Sequence, residues 1–266
     1  MFHPPARPAF SAIALCLALA AAGPCAGARN PGCSKPISVA TGHWEPYAYF
    51  DERKRFTGID VDMARAIFRE AGCTLVELPQ RPTTRNMMMF ESGAIDMMMG
   101  ASRTPERLRR AWFTAGYRNE KVSMFSLAEG APRYGHIRSF DEFLAGELTM
   151  LAPRVGYYGD LYDSQRHSLK RAKRLFQFLD FTQGIRMLGA GRADFIMGDP
   201  VGVERAAARE GIKVQPLPFF LLDAPVHLML NRATVPEADV RVLDAAIARM
   251  RKRGDFDRIR LSWGAI

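Results

Sequence analysis

Arg107 sits in the stretch GASRTPERLRRAWF, residues 100–113, at a position where its charge needs a reason. Thr104 is a good N-cap, and Pro105 suits the first helical position, where no backbone donor is needed. A capping box would place Glu or Gln three residues after the cap. This chain places an arginine there, against a helix dipole that favours negative charge in its first turn. Either Arg107 is a solvated surface residue, or something anionic belongs beside it. Other reactive chemistry is not evident. His43, His136, His167 and His227 are scattered, and no serine, cysteine or histidine constellation suggests a nucleophile. The triplets Met87–Met89 and Met97–Met99 read as helix packing and strand core, because consecutive residues cannot all face one ion. Neither a metal nor a cofactor is expected.

The elements that must carry Arg107 follow from the pattern of the chain. Its 266 residues, 48% hydrophobic and 24% charged, are those of a globular protein. Residues 1–28 stand apart: Arg7 is their only charged residue, an apolar run follows, and AGA ending at Ala28 offers a cleavage pattern. We read them as a secretory signal, with the mature protein exported to the periplasm. A retained membrane anchor and lipid attachment at Cys25 are the lesser alternatives, the second fitting poorly with Pro24. Cys16 and Cys25 leave with the signal, so Cys33 and Cys73 remain as a pair in an oxidising compartment. Each lies shortly before an expected strand, and adjacent parallel strands begin at the same sheet edge, so a disulfide is expected. The net charge of +9 invites a nucleic-acid reading. Export argues against it, and the basic runs 166–174 and 249–255 lack interleaved aromatics, so they read as solvated helix faces.

Strands and helices alternate along the mature chain, which predicts α/β architecture. ISVAT (37–41) and TLVEL (74–78) read as buried strands. Between them Val61, Ala64, Ile67, Phe68 and Ala71 share one helical face, and Gly72 ends the helix. A second helix is expected over 83–92. The later half restarts the pattern with a capping box at Ser139 and Glu142, strands at 148–152 and 174–179, and a strand at 225–231 before two closing helices. SGAIDMMMGAS and AGRADFIMGDP match at Gly93 and Gly191, Asp96 and Asp194, Gly100 and Gly198. Two α/β lobes of one design are therefore expected, with the loops around Ser102 and Asp199 facing a shared cleft beyond the strand ends. The chain should cross between lobes at 117–121 and again at 221–225. Residues 29–118 and 225–266 would form lobe 1, and 119–224 lobe 2.

GIDVDMARAIFREAG, ESGAIDMMMGASRTPERLRRAWFTAGY, GRADFIMGDP and the terminal GDFDRIRLSWG, in this order, resemble the type II periplasmic solute-binding proteins of polar amino acid ABC transporters. The similarity spans nearly the whole mature chain. The resemblance implies a type II two-lobe fold with two crossover hinges, and an arginine, Arg107, that grips a ligand carboxylate. It implies help from the Ser102 hydroxyl and from N–H groups near Gly100. Asp199 would receive the ligand ammonium, although it also reads as a helix cap before Pro200. Trp44 would cover the ligand side chain or pack in the core, and the turn of Gly156, Tyr157 and Tyr158 would add contacts from lobe 2. On this reading the Arg107 guanidinium and the N–H groups of the helix start hold a carboxylate between them. The chain departs from the family at Gly42, where many relatives carry an acid, and Glu45 is the candidate substitute. Arg81 and Arg85 add positive charge near the expected cleft, so an acidic or non-amino-acid carboxylate ligand stays open.

The resemblance thus implies a monomeric binding protein, not an enzyme, which closes on a small carboxylate or amino acid and delivers it to an ABC permease. Two alternatives stay open. One is an exported dehydratase of cyclohexadienyl carboxylates on the same fold, with Glu45 or Glu120 as its acid. The other is a ligand-sensing subunit for a membrane receptor.

Overall fold

The computed structural model describes residues 1–3 and 32–265. The expected export signal, with Cys16 and Cys25, lies outside the described residues. The first half runs β1 (Ile37–Val39), a hairpin of β2 (Tyr49–Phe50) and β3 (Phe56–Thr57), α1 (Ile59–Ala71), β4 (Leu75–Glu77), α2 (Thr83–Glu91) and β5 (Met97–Ala101). A single-turn α3 (Pro105–Leu108) and β6 (Ala111–Phe113) lead into the long strand β7 (Arg118–Leu127). A 3-10 turn and α4 (Phe140–Ala145) precede β8 (Met150–Pro153), α5 (Asp160–Arg171), β9 (Leu175–Phe178), α6 (Phe181–Gly189) and β10 (Phe195–Gly198). The chain continues with α7 (Pro200–Arg209), β11 (Val214–Pro216), the second long strand β12 (Leu222–Asn231), α8 (Glu237–Lys252) and α9 (Asp255–Ser262).

The strand order shows two copies of one pattern, which makes this a two-lobe α/β fold. One sub-sheet is ordered β4-β1-β5-β12 and the other β9-β8-β10-β7. In each, the β-α-β-α-β unit pairs in parallel, and a long antiparallel strand closes the edge. β7 and β12 also pair with each other from Leu222↔Val122 to Val226↔Arg118, which makes the two sub-sheets one curled sheet. The repeat read from Asp96 and Asp194 has a physical basis. Asp96 accepts from the Ser38 amide (2.9 Å) and hydroxyl (2.8 Å), while its own N–H donates to that hydroxyl (3.0 Å). Asp194 does the same with the Thr149 amide (2.8 Å) and hydroxyl (2.7 Å), and its N–H returns a bond of 3.1 Å. Each aspartate thus ties the starts of two parallel strands together, and so fixes which strand ends face the cleft.

Local chemistry explains the helices. α1 buries Val61, Ala64, Ile67, Phe68 and Ala71, the face read from its spacing, against α8 and the first sub-sheet. Burying a side chain of the size of Ile67 or Phe68 contributes roughly 1.5–3 kcal/mol. Gly72 adopts φ 70° and ends the helix, with bonds from its N–H to Arg69 O and from the Cys73 N–H to Phe68 O. Ser139 caps α4 through the Glu142 amide, at 3.2 Å. Three expectations need correction. TLVEL is an edge strand with Val76 exposed, because only β1 flanks it. Met87–Met89 do not pack as a group: Met88 is exposed, since α2 buries only Asn86 and Phe90. The basic runs are partly internal staples. Arg174 donates to the Phe143, Leu144 and Leu148 carbonyls, and Arg249 and Arg253 both pair with Glu70.

Cys33 and Cys73 form the expected disulfide, with Cα atoms 5.0 Å apart and a sequence separation of 40. It joins the segment before β1 to the end of α1. A loop of this length contributes about 3–4 kcal/mol in the chain-entropy model. Replacing both cysteines by serine should therefore lower the urea-unfolding free energy of the oxidised protein by that amount. Unchanged stability would contradict a structural role for the bridge.

Candidate functional site

A cleft of about 770 Å³ opens between the two sub-sheets beyond the strand ends. Trp44, Gly100, Ser102, Arg107 and Tyr157, all singled out in the sequence, line it together. Asp199 does not line it. The carboxylate of Asp199 accepts the Tyr47 hydroxyl at 2.5 Å and the Gly202 amide at 3.2 Å, so it caps α7 and ties that helix to the loop after β1. Burial pushes its carboxyl up, while the Tyr47 hydrogen bond pulls it down. The ammonium role read from the resemblance thus meets an acid that already has partners.

Arg107 is carried as its sequence suggests. The Thr104 hydroxyl accepts its amide at 3.3 Å, and Pro105 begins α3. That helix is a single turn and its Arg107 amide is already bonded, so the guanidinium rather than the dipole carries the positive charge. The guanidinium makes one hydrogen bond, to the Ser102 carbonyl at 2.9 Å, and no ion pair among the described residues. Burial holds it below its ordinary value, with Glu106, Glu120, Tyr158 and Tyr157 pulling the other way from a distance. Ser102 is buried, and its hydroxyl has no protein partner among the described residues.

Gly100 adopts φ 62°, and a Cβ there would meet Asp60 Oδ2 at 2.9 Å. Its amide donates to the Tyr117 hydroxyl at 2.8 Å, so this N–H is not offered to a ligand as the sequence reading expected. Across the cleft, Gly156 at φ 133° lets the chain pass the Tyr158 ring, whose hydroxyl would lie 2.4 Å from a Cβ. Tyr158 is buried and donates to the Val155 carbonyl at 2.8 Å, while Tyr157 faces the cleft and donates to Asp160 at 2.6 Å. Trp44 lines the cleft and packs at a tilt against Phe181, with ring centroids 4.7 Å apart. Glu45 does not replace the acid missing at Gly42. It is turned away from the cleft lining, paired with Arg209 and lying 3.8 Å from Arg205. Arg81 lines the cleft and Arg85 does not.

Two features of the cleft wall, the partner of Arg118 and the burial of Glu120, had no signal in the sequence. Arg118 and Asp60 form a buried bidentate ion pair at 2.6 and 2.9 Å on the cleft wall, and the guanidinium lies 4.1 Å above the Tyr47 ring. Glu120, two residues further along β7, is 8% exposed and lines the cleft without a hydrogen bond or ion pair among the described residues.

The model of bacterial extracellular solute-binding proteins, family 3, matches residues 37–266. The chain belongs to that family. Among curated proteins, the family 3 chain is 28% identical over 165 residues to the cyclohexadienyl dehydratase of Pseudomonas aeruginosa, a match spanning 61% of this chain and 58% of the relative. Among solved structures, it superposes on a mutant of the ArgBP of T. maritima with TM-score 0.70 at 17% identity, covering 87% of this chain and 96% of the other. It also superposes on an amino acid ABC transporter substrate-binding protein of Streptococcus pneumoniae bound to L-arginine, with TM-score 0.66, 19% identity and coverage of 85% and 91%. These two likenesses establish the fold.

In this family 3 chain the unpartnered carboxyl has a measurable consequence. Burial pushes Glu120 up to about 7 from an ordinary 4.5, with Arg118 opposing and Asp199 reinforcing the shift. The folded protein then binds more protons than the unfolded chain between those values, so this group's contribution to stability is lost as pH rises from about 4.5 to about 7. Glu120→Gln should accordingly stabilise ligand-free protein at pH 8 by up to roughly 3 kcal/mol, with the gain vanishing toward pH 4.5. Urea denaturation of both proteins across that range checks this. A variant that is less stable than wild type at pH 8 would contradict it.

Proposed function

We propose that this chain captures a small carboxylate, an amino acid above all, by closing its two lobes, and hands it to an ABC permease from the periplasm. The observation that carries the reading is Arg107: a half-buried guanidinium in the cleft with one hydrogen bond and no counter-ion among the described residues. A desolvated cation of this kind is stabilised most by a ligand that brings two oxygens in one plane. The Ser102 hydroxyl beside it adds a neutral donor. We place lobe 1 at 29–118 with 225–266 and lobe 2 at 119–224, so that both crossings fall in the β7–β12 ladder. Closure about that ladder is a hinge motion. A charged hydrogen bond contributes roughly 1.5–3 kcal/mol, whereas micromolar affinity needs about 8 kcal/mol. Burial against Trp44, Met98 and Met99 on the cleft wall supplies more.

A dehydratase is the second reading, favoured by the Pseudomonas aeruginosa relative and by Glu120, whose carboxyl is partly protonated near neutrality as a general acid requires. The purified protein should leave prephenate and arogenate unchanged. Turnover that Glu120→Gln abolishes would make it an enzyme.

Arg107→Lys should fold normally and bind the tightest ligand from a thermal-shift screen of amino acids and small carboxylates about thirty- to a hundredfold more weakly, a loss of roughly 2–3 kcal/mol. Ser102→Ala should cost less, because a neutral donor contributes less than a charged one. Calorimetric titration measures both. Wild-type affinity in Arg107→Lys would refute the carboxylate clamp.

A further inference from the structure

The acids around the cleft have distinct fates. Asp60 is paired with Arg118, Asp180 caps α6 through the Gln183 amide at 2.8 Å, and Asp199 is held by Tyr47 and α7. Glu120 alone among them has no such partner. It stands on β7 where that strand pairs with β12, directly opposite Ala224, and it lines the cleft. The charged and titratable groups that face it are Arg118 on its own strand, Asp60 from α1, Asp199 ahead of α7, Arg107 from α3 and Tyr158 from the loop after β8. The Asp60 carboxylate neutralises Arg118, and Arg107 forms no ion pair with Glu120. One cleft therefore holds a half-buried guanidinium and a buried carboxyl, neither with a counter-ion among the described residues. Burying either charge unpaired is costly, and the cost is relieved by a ligand that brings both opposite charges at once.

We propose that Glu120, on the strand that joins the two sub-sheets, is the ammonium acceptor of the cleft, so that the ligand is a zwitterionic α-amino acid lying between Arg107 and Glu120. This rests on the solute-binding reading above and sharpens it. A plain carboxylate would satisfy Arg107 and leave Glu120 without a partner. A ligand with a second carboxylate directed at Glu120 would set like charges together. Because Glu120 titrates near neutrality, an arriving ammonium favours its ionised form and expels the proton it partly holds at pH 7.

The test is calorimetric titration of the mature chain with the standard L-amino acids, followed by the α-hydroxy acid matching the tightest one. We expect the hydroxy acid to bind at least about thirtyfold more weakly than the amino acid, the range of a lost charged hydrogen bond. Glu120→Gln should weaken the amino acid by a similar factor and leave the hydroxy acid unchanged, while Asp199→Asn should change the amino acid by less than about threefold. An amino acid that binds Glu120→Gln as tightly as wild type, or loses its affinity in Asp199→Asn instead, overturns the inference and leaves the solute-binding reading intact. So does a wild-type protein that binds only carboxylates lacking an ammonium. If neither class binds, both readings fall. Should Glu120→Gln fail to fold, proton release decides the matter in wild type and in Asp199→Asn, which removes that neighbour as a source. Release at pH 7 that disappears by pH 9 in both supports the inference, and no release at pH 7 overturns it.

Discussion

The buried ion pair between Asp60 and Arg118 is the interaction on which the cleft depends. Their side chains are 4% and 5% exposed, and removing one partner of such a pair typically costs about 3–5 kcal/mol. Asp60 comes from the first turn of α1, and Arg118 begins the strand that runs into the second sub-sheet. The carboxylate lies under Gly100, where no side chain fits, and so sets how closely the end of β5 approaches α1. The guanidinium lies on the Tyr47 ring, and the Tyr47 hydroxyl reaches Asp199 ahead of α7. One charge pair thus links α1, the loop after β1, the crossing strand and the second lobe. Because it is neutral as a unit, the pair compensates neither Arg107 nor Glu120, which stand near it on the same wall.

The contacts between lobes on the other flank come from a four-residue stretch. Trp44 packs at a tilt against Phe181, Glu45 pairs with Arg209, and Tyr47 bonds Asp199. Glu45 and Arg209 are partly exposed, and a pair of that kind contributes about 0–1 kcal/mol. The aromatic contact adds roughly 0.5–1.5 kcal/mol beyond its buried area. These sums are small beside the free energy of a ligand with two charges in a desolvated cleft. They are suited to aligning the lobes, and a bound ligand is suited to holding them.

What the sequence made legible is what has a local or periodic signature. The buried face of α1, its stop at Gly72, the N-cap at Thr104 and the Asp96–Asp194 repeat all follow from spacing or turn chemistry, and each is present. Five of the six named binding residues meet in one cleft for the same reason: strand ends of a parallel unit face one way. The misses are pairings at long range. Asp60 reads as an ordinary first-turn acid, and nothing in the sequence points to Arg118, 58 residues away. Asp199 reads as a cap, and the cap is there, but its bond to Tyr47 spans 152 residues. Glu45 has the right charge near Gly42, yet the loop turns it toward α7. Glu120 was visible as a carboxylate, whereas its burial and lack of a partner are properties of the packed cleft.

The central claim is that Arg107 receives a ligand carboxylate, and a crystal structure with the tightest-binding ligand measures that directly. The account predicts both carboxylate oxygens within about 3 Å of the Arg107 guanidinium nitrogens. A ligand whose carboxylate lies elsewhere, with Arg107 reaching only Ser102 and water, would contradict it.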